Sequence, residues 1–337
     1  MRVWFNHWFS SIYRNIELMK QSVLDLYVIG SCNNKDAVYQ KVCDEWYEEP
    51  KLEDGRQYVD WCLNFCKEHS VEVFIPRRNF LAISCYKHEF EQIGVKVMVD
   101  ENYILLKILN NKMETSSFFR NFLPNNCFVP DMYIANNLKE FKKYYDIIKS
   151  QGEKVCIKFA EDVGGASFRI IEEDEVGISV LNSKSGRRIN YSQIESILGS
   201  ADSFKSLIVM PLLTGSEISI DCLNTSNGFV AVPRYKEKGR VERIDFNEDI
   251  LKRAKEVSDV LNIRHPFNLQ YMYHRNKLYL LEVNTRMSGG VYLSSMSGVN
   301  LPALALRDLL ELPVEIPSDL KSMRVTHVET GVILETL

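Results

Sequence analysis

The chain of 337 residues, 45% hydrophobic and 26% charged, has the composition of a folded globular protein and exceeds what one core organises, so two or three packed units are expected. A formal charge of −4 leaves no global positive field, which excludes bulk attraction to nucleic acid or an anionic membrane; any anion must be held locally. The eight cysteines contain no C-x-x-C pair, so their spacing encodes neither a zinc site nor a redox motif, and Cys62 and Cys66 are read as buried thiols.

The opening Met1-Arg2-Val3-Trp4-Phe5-Asn6-His7 turns polar before an apolar signal core forms, and no later stretch approaches about eighteen uncharged apolar residues, so a cytoplasmic protein without membrane contact is expected. Over the first hundred residues, apolar runs at Val3–Phe5, Leu24–Ile29, Val71–Pro76 and Val95–Val99 alternate with helical stretches at Ile12–Lys20 and Tyr58–His69. That βαβ rhythm predicts a parallel sheet covered by helices, with a ligand near strand carboxyl ends, beside Gly30-Ser31 or Pro76-Arg77. Gly30 stands alone rather than in G-x-G-x-x-G, which argues against a dinucleotide-binding dehydrogenase.

From about residue 101 the pattern changes to a helical stretch containing Lys112 and then short strands. Val155–Lys158 and Phe168–Ile171 flank the loop Gly164-Gly165-Ala166-Ser167, whose small residues let backbone amides approach phosphate oxygens; an empty Gly-Gly turn is the bland alternative. Lys158 ends an apolar strand, where an unpaired ammonium is costly to bury, so it is expected to meet an anion. Met210-Pro211-Leu212-Leu213 links Leu207–Leu212 to the alternating strand Glu217–Leu223 and offers backbone edges and methyl groups to a purine. Glu217 has the chemistry to accept both hydroxyls of a ribose, or is simply solvated. Val232–Arg240 is locally basic and reads as a solvated loop, with Arg234 the candidate for a substrate carboxylate or phosphate.

Asp245-Phe246-Asn247-Glu248 begins a helix to Leu261 that buries Ile250, Ala254, Val257 and Leu261. Phe267–His274 and Leu278–Asn284 form a hairpin around Arg275-Asn276. Strict alternation puts Leu278, Leu280, Glu282, Asn284 and Arg286 on one face, the leucines in the core and the polar three at its end. With Gln270 opposite, one carboxylate and two amide oxygens converge as hard ligands for magnesium, to be completed by nucleotide phosphates, with Arg286 neutralising charge on a transferred phosphoryl group. A solvated hairpin end is the competing reading. A strand-like tail, Arg324–Leu334, has no assigned role.

In this order the pieces resemble the ATP-grasp superfamily, in the branch similar to carbamoyl-phosphate synthase large-subunit domains and carboxylate–amine ligases. The resemblance implies mixed α/β and α+β architecture: a Rossmann-like pre-ATP-grasp domain over 1–100, then an ATP-grasp domain over 101–337 with a lid at about 151–209 and a larger antiparallel-sheet subdomain. It implies that Lys112, Lys158, the glycine loop, the hinge Met210–Leu213 and Glu217 bind ATP. Gln270, Glu282 and Asn284 then hold a pair of Mg²⁺ ions, replaceable by Mn²⁺, and Arg286 contacts phosphate. Lys158-Phe159 stands where the family commonly has K-P, and Asn284-Thr285-Arg286 where it has N-P-R; both keep the functional side chains. Within the branch, V-C-I-K-F-A-E-D-V-G-G-A-S-F-R-I is similar to ATP-grasp proteins encoded near tellurite-resistance operons. The implied activity is ATP-dependent joining of a small-molecule carboxylate to an amine through an acyl phosphate, with Lys158, Arg286 and Arg234 as catalytic candidates. A small-molecule kinase, a non-catalytic ATP sensor and a homodimer through the first domain are the further expectations.

Overall fold

The computed structural model describes residues 1–22, 25–124, 127–160, 167–173 and 187–334. In the first unit β1 (Arg2–Asn6), β2 (Tyr27–Cys32), β3 (Glu45–Glu48), β4 (Val73–Ile75) and β5 (Lys96–Val97) pair in parallel in the order β3-β2-β1-β4-β5. Strands covered on both faces read as unbroken apolar runs, and β1 does so. Its Val3 and Phe5 enter one core with the helix Ile12–Ser22, while Trp4 enters another with the helix Gly55–Glu68. β3 has no apolar run to announce it, because Glu45-Trp46-Tyr47-Glu48 is a half-buried edge strand. The lone Gly30 is a packing residue: a Cβ there would lie 2.5 Å from Cys43 Sγ and 2.8 Å from the Trp46 ring.

A second, smaller sheet has the order β10-β9-β8-β11-β7. Its strands are β7 (Tyr133–Ala135), β8 (Val155–Phe159), β9 (Arg169–Glu172), β10 (Arg188–Asn190) and β11 (Leu207–Pro211). The helices Leu138–Ser150 and Tyr191–Gly199 cover one face through Phe141, Ile148, Ile194 and Leu198. This sheet is larger than the expected 151–209, because β7 adds to its edge beside β11. Residues 161–166, which include Gly164, Gly165 and Ala166, lie outside the described residues.

The largest sheet runs β17-β14-β13-β12-β15-β16-β6, with β6 (Cys127–Phe128), β12 (Glu217–Thr225), β13 (Gly228–Lys236), β14 (Val241–Ile244), β15 (Phe267–His274), β16 (Lys277–Asn284) and β17 (Met323–Thr326). The basic segment expected as a loop is thus in large part strand: residues 228–236 pair with β12 along their whole length. Pro233 and the clustered charges disguised it, but Val230 and Val232 face one core and Ala231 another. The helix Glu248–Leu261 forms as expected. Asn247 caps it by accepting from the Ile250 N–H at 3.1 Å, and the expected four apolar residues are buried against β12 and β15. Arg275 and Asn276, at φ 46° and 60°, make the tight turn between β15 and β16. Of the expected strand-like tail Arg324–Leu334, the residues Arg324, Val325 and Thr326 are strand, in β17 at the sheet edge.

One core cluster joins the first unit to the large sheet: Val3, Phe5 and Ile16 pack with Val232, Ile244 and the helix Leu301–Leu309. Among the described residues no helix is long and apolar enough to cross a membrane.

Candidate functional site

β15 and β16 set Asn268 opposite Asn284 and Gln270 opposite Glu282, and the register slips by one residue between Gln270 and Tyr271, which pairs with Leu280. Leu281 is therefore an extra residue on β16, and a bulge of this kind reverses the side-chain alternation. Leu278 and Leu280 before it and Val283 after it enter the same core. Glu282 and Asn284 consequently point to the opposite face. The one-face gradient expected from strict alternation is corrected by the bulge, which keeps the polar residues out of the leucine core.

That face opens on a cavity of about 510 Å³. Asn268, Gln270, Glu282, Asn284 and Arg286 line it from the large sheet, Lys112 and Thr115 from a helix, and Trp8, Phe9, Pro76 and Arg77 from the first unit. Asn284 Nδ2 donates to Glu282 Oε1 at 2.9 Å, and Lys112 Nζ lies 4.0 Å from Glu282 Oε2. Lys112 is the first residue of the helix Lys112–Phe119, capped by Asn111 accepting from the N–H groups of Met113 and Glu114. A lysine is unfavourable at the positive end of a helix dipole, so its placement there concentrates rather than balances charge.

Lys158, on β8 of the small sheet, approaches the same carboxylate. Burial, reinforced by Lys112 and partly offset by Glu282, pulls its pKa down to about 8. Arg286 is likewise pulled down to about 10 by burial and by Arg77, with Glu282 opposing. A phosphate ligand reverses both effects by stabilising the charged forms. Nucleotide binding is therefore expected to take up a proton above pH 8, and affinity to fall as pH rises from about 8 towards 10. Calorimetry of MgADP binding in buffers of different ionisation enthalpy checks this; Lys158→Gln should remove the part of the pH dependence centred near pH 8 and leave the part near pH 10 that belongs to Arg286.

The oxygens present suit a magnesium ion completed by phosphate. Asn268 is fully buried and its Nδ2 donates to Ser219 Oγ at 3.0 Å, Ile220 O at 3.1 Å and Asp221 Oδ1 at 2.9 Å, which fixes the amide orientation. Among the described residues its Oδ1 has no partner, although it belongs to a residue that lines the cavity directly across from Asn284. An orphaned acceptor beside a carboxylate and further amides fits a hard cation. Among the described residues no three His, Cys, Asp or Glu side chains cluster as metal ligands. Asn268 was not read from the sequence, although its i, i+2 spacing to Gln270 was the available signal.

Other expected residues lie outside the lining of this cavity. Arg234 is 2% exposed: Nε donates to Asp221 Oδ2 at 3.0 Å, Nη1 to Glu242, and Nη2 to Ser288 Oγ at 3.0 Å and Ser219 Oγ at 3.3 Å. Burial opposes its charge, but Asp221 and Glu242 outweigh burial and hold its pKa above the ordinary value. It is therefore a bound structural cation beneath the site rather than a free anion contact, because strands β12 and β14 supply its counter-charges. Glu217 is paired with Lys236. The Leu212 N–H is taken by Lys154 O at 2.7 Å, and Pro211 and Leu213 line a second cavity of about 260 Å³ with Phe128 and Tyr279. Ser167 Oγ accepts from the Phe159 N–H at 2.9 Å, tying the start of β9 to the end of β8. Lys158 shares its face of the small sheet with an apolar patch, Cys156, Ile208 and Met210, with Met132, Phe168 and Leu212 against it.

Residues 203–331 match a protein family described as ATP-grasp in the biosynthetic pathway with Ter operon. The carbamoyl phosphate synthase large chain of Clostridium perfringens is 29% identical over 126 residues, 32% of this chain; the matched part is 12% of that protein's length. N5-carboxyaminoimidazole ribonucleotide synthetase in complex with ADP superposes with a TM-score of 0.70 at 11% identity, over 96% of this chain and 80% of that one. The biotin carboxylase–β,γ-ATP complex from Campylobacter jejuni gives 0.65 at 15% identity, over 95% and 73%. An L-amino acid ligase from Bacillus licheniformis gives 0.61 at 14% identity, over 91% and 74%. At such identities the structural likenesses establish the fold.

Proposed function

We propose that this chain, which shares the fold of ATP-grasp enzymes and matches an ATP-grasp family over residues 203–331, is an ATP-dependent ligase joining a carboxylate to an amine. The convergence of Lys112, Gln270, Glu282, Asn284 and Arg286 on one cavity, with Lys158 against it, is the observation that carries this reading. Lys112 and Lys158 hold the phosphate oxygens of ATP, and the apolar patch beside Lys158 faces the base. Gln270, Glu282, Asn284 and Asn268 would hold Mg²⁺, which supplies charge neutralisation at the phosphates when bound.

A carboxylate oxygen of the substrate attacks the γ-phosphorus; a new O–P bond forms, the bond to the β-phosphate oxygen breaks, and ADP leaves. Arg286 stabilises the charge spread over the transferred phosphoryl oxygens. The amine nitrogen then attacks the acyl carbon of the acyl phosphate, inorganic phosphate departs with the bonding pair, and the nitrogen loses a proton. Positioning and charge neutralisation suffice, with no covalent enzyme nucleophile.

The test is an ADP-release screen with Mg²⁺ over paired acids and amines, followed by mass analysis of the product. An amide formed with ADP and phosphate supports the ligase. A stable phosphorylated product instead makes the protein a kinase, and MgATP binding without turnover across the panel makes it a sensor.

A further inference from the structure

Arg77 and Arg286 enter the same cavity from opposite sides, Arg77 from the loop after β4 and Arg286 from the segment after β16. Their guanidinium carbons lie 3.6 and 4.8 Å from the centroid of one ring, Phe9. Among the described residues neither is in an ion pair; Arg77 Nη1 reaches only His7 O at 3.5 Å and Arg286 Nη1 only Met287 O at 3.2 Å. Among the described residues the buried Arg77 Nε has no hydrogen-bond partner. Two desolvated like charges and an orphaned donor are costly to hold together, and an anion between them offsets that cost.

The position has a topological reason. The first sheet reverses its winding at β1, with β2 on one side and β4 on the other. Ligands of open parallel sheets bind in the crevice at the carboxyl ends of the strands at such a switch point, and here Trp8, Phe9, Pro76 and Arg77 follow β1 and β4 into the cavity. The electrostatic neighbours run from Lys158 to Lys112, Glu282, Arg286 and Arg77, so Arg77 lies at the end away from the two lysines assigned to ATP. Around it the wall is apolar: Ile75, Pro76, Phe80, Met98 and Val99. Among the described residues, the lysine and arginine side chains lining the cavity are Arg77, Lys112 and Arg286.

We propose that Arg77 docks the carboxylate of the acid substrate against Arg286, and that this substrate is a monocarboxylic acid with an apolar or aromatic body. The inference rests on the ligase reading and names the acid that its first half-reaction takes. A second acidic group would find no further cation, whereas an apolar body finds a matching wall.

Phenylacetate and succinate serve as probes, measured by equilibrium dialysis against the full chain in saturating MgADP. Phenylacetate is expected to bind more tightly than succinate, and Arg77→Gln to weaken it about tenfold or more, the loss of a charge-assisted contact. Arg77→Lys should recover part of that loss, and neither variant should change MgADP affinity. Equal phenylacetate binding by wild type and Arg77→Gln, a preference for succinate, or no binding of phenylacetate to the wild type overturns the inference. Failure of the wild type to bind MgADP at all sinks the ligase reading itself, which separates the two failures.

Discussion

Glu282→Ala is expected to lower substrate-stimulated ADP release by about 10²–10³-fold or more, with the fold intact. Among the described residues that line the 510 Å³ cavity, Glu282 is the one carboxylate, so none of them replaces its charge. Its side chain is 30% exposed, and its removal leaves little apolar surface unpacked, so stability should change by under about 1 kcal/mol. Glu282→Gln keeps the shape and should lose nearly as much activity, with a raised Mg²⁺ requirement in both variants. The measurement is ADP release against Mg²⁺ concentration, with circular dichroism as the folding control. Undiminished turnover at ordinary Mg²⁺ places the cation elsewhere.

Arg234→Met has the largest expected effect on stability. It leaves Asp221 and Glu242, 2% and 8% exposed, as buried carboxylates that have lost their shared cation. Breaking a buried ionic network in this way costs about 3–5 kcal/mol, against a smaller change when a whole network is replaced by apolar residues. For a chain of this size that lowers the melting temperature by roughly 10 °C. Ser288 also loses its guanidinium partner, and Ser288 follows Arg286 by two residues, so a modest loss of activity per folded molecule accompanies the instability. The informative comparison is activity loss against thermal shift. Loss of catalysis with an unchanged melting temperature would restore Arg234 to the substrate side.

The contrast between these two residues shows what the sequence made legible. That Gln270 lies opposite Glu282, and that Glu282 and Asn284 share a face, was readable from the hairpin spacing. The face they occupy was not, since the extra residue Leu281 leaves no mark on composition and only the pairing of Tyr271 with Leu280 reveals it. Arg234 was visible as a charge but not as a paired one. Its partners come from β12 and β14, and a local reading of Val232–Arg240 sees only the basic side chains. The parallel first sheet was legible from its apolar runs, apart from β3, whose edge position demands no such run. Lys112 was singled out by resemblance alone. Its physical signature, a lysine at the positive end of a helix and 4.0 Å from Glu282, exists only in three dimensions. Arg77 was placed correctly at a strand carboxyl end, but its pairing with Phe9 and Arg286 needed the fold.

On the proposed function, the cavity lined by the first unit and the large sheet is where a carboxylate is activated by phosphorylation. Once an acid and amine pair is found that drives ADP release, the acid is labelled with ¹⁸O in its carboxylate, and the mass of the released inorganic phosphate is measured. Passage through an acyl phosphate transfers one ¹⁸O to each phosphate, so labelled phosphate in step with ADP is the predicted result. ADP formation with wholly unlabelled phosphate would contradict the account.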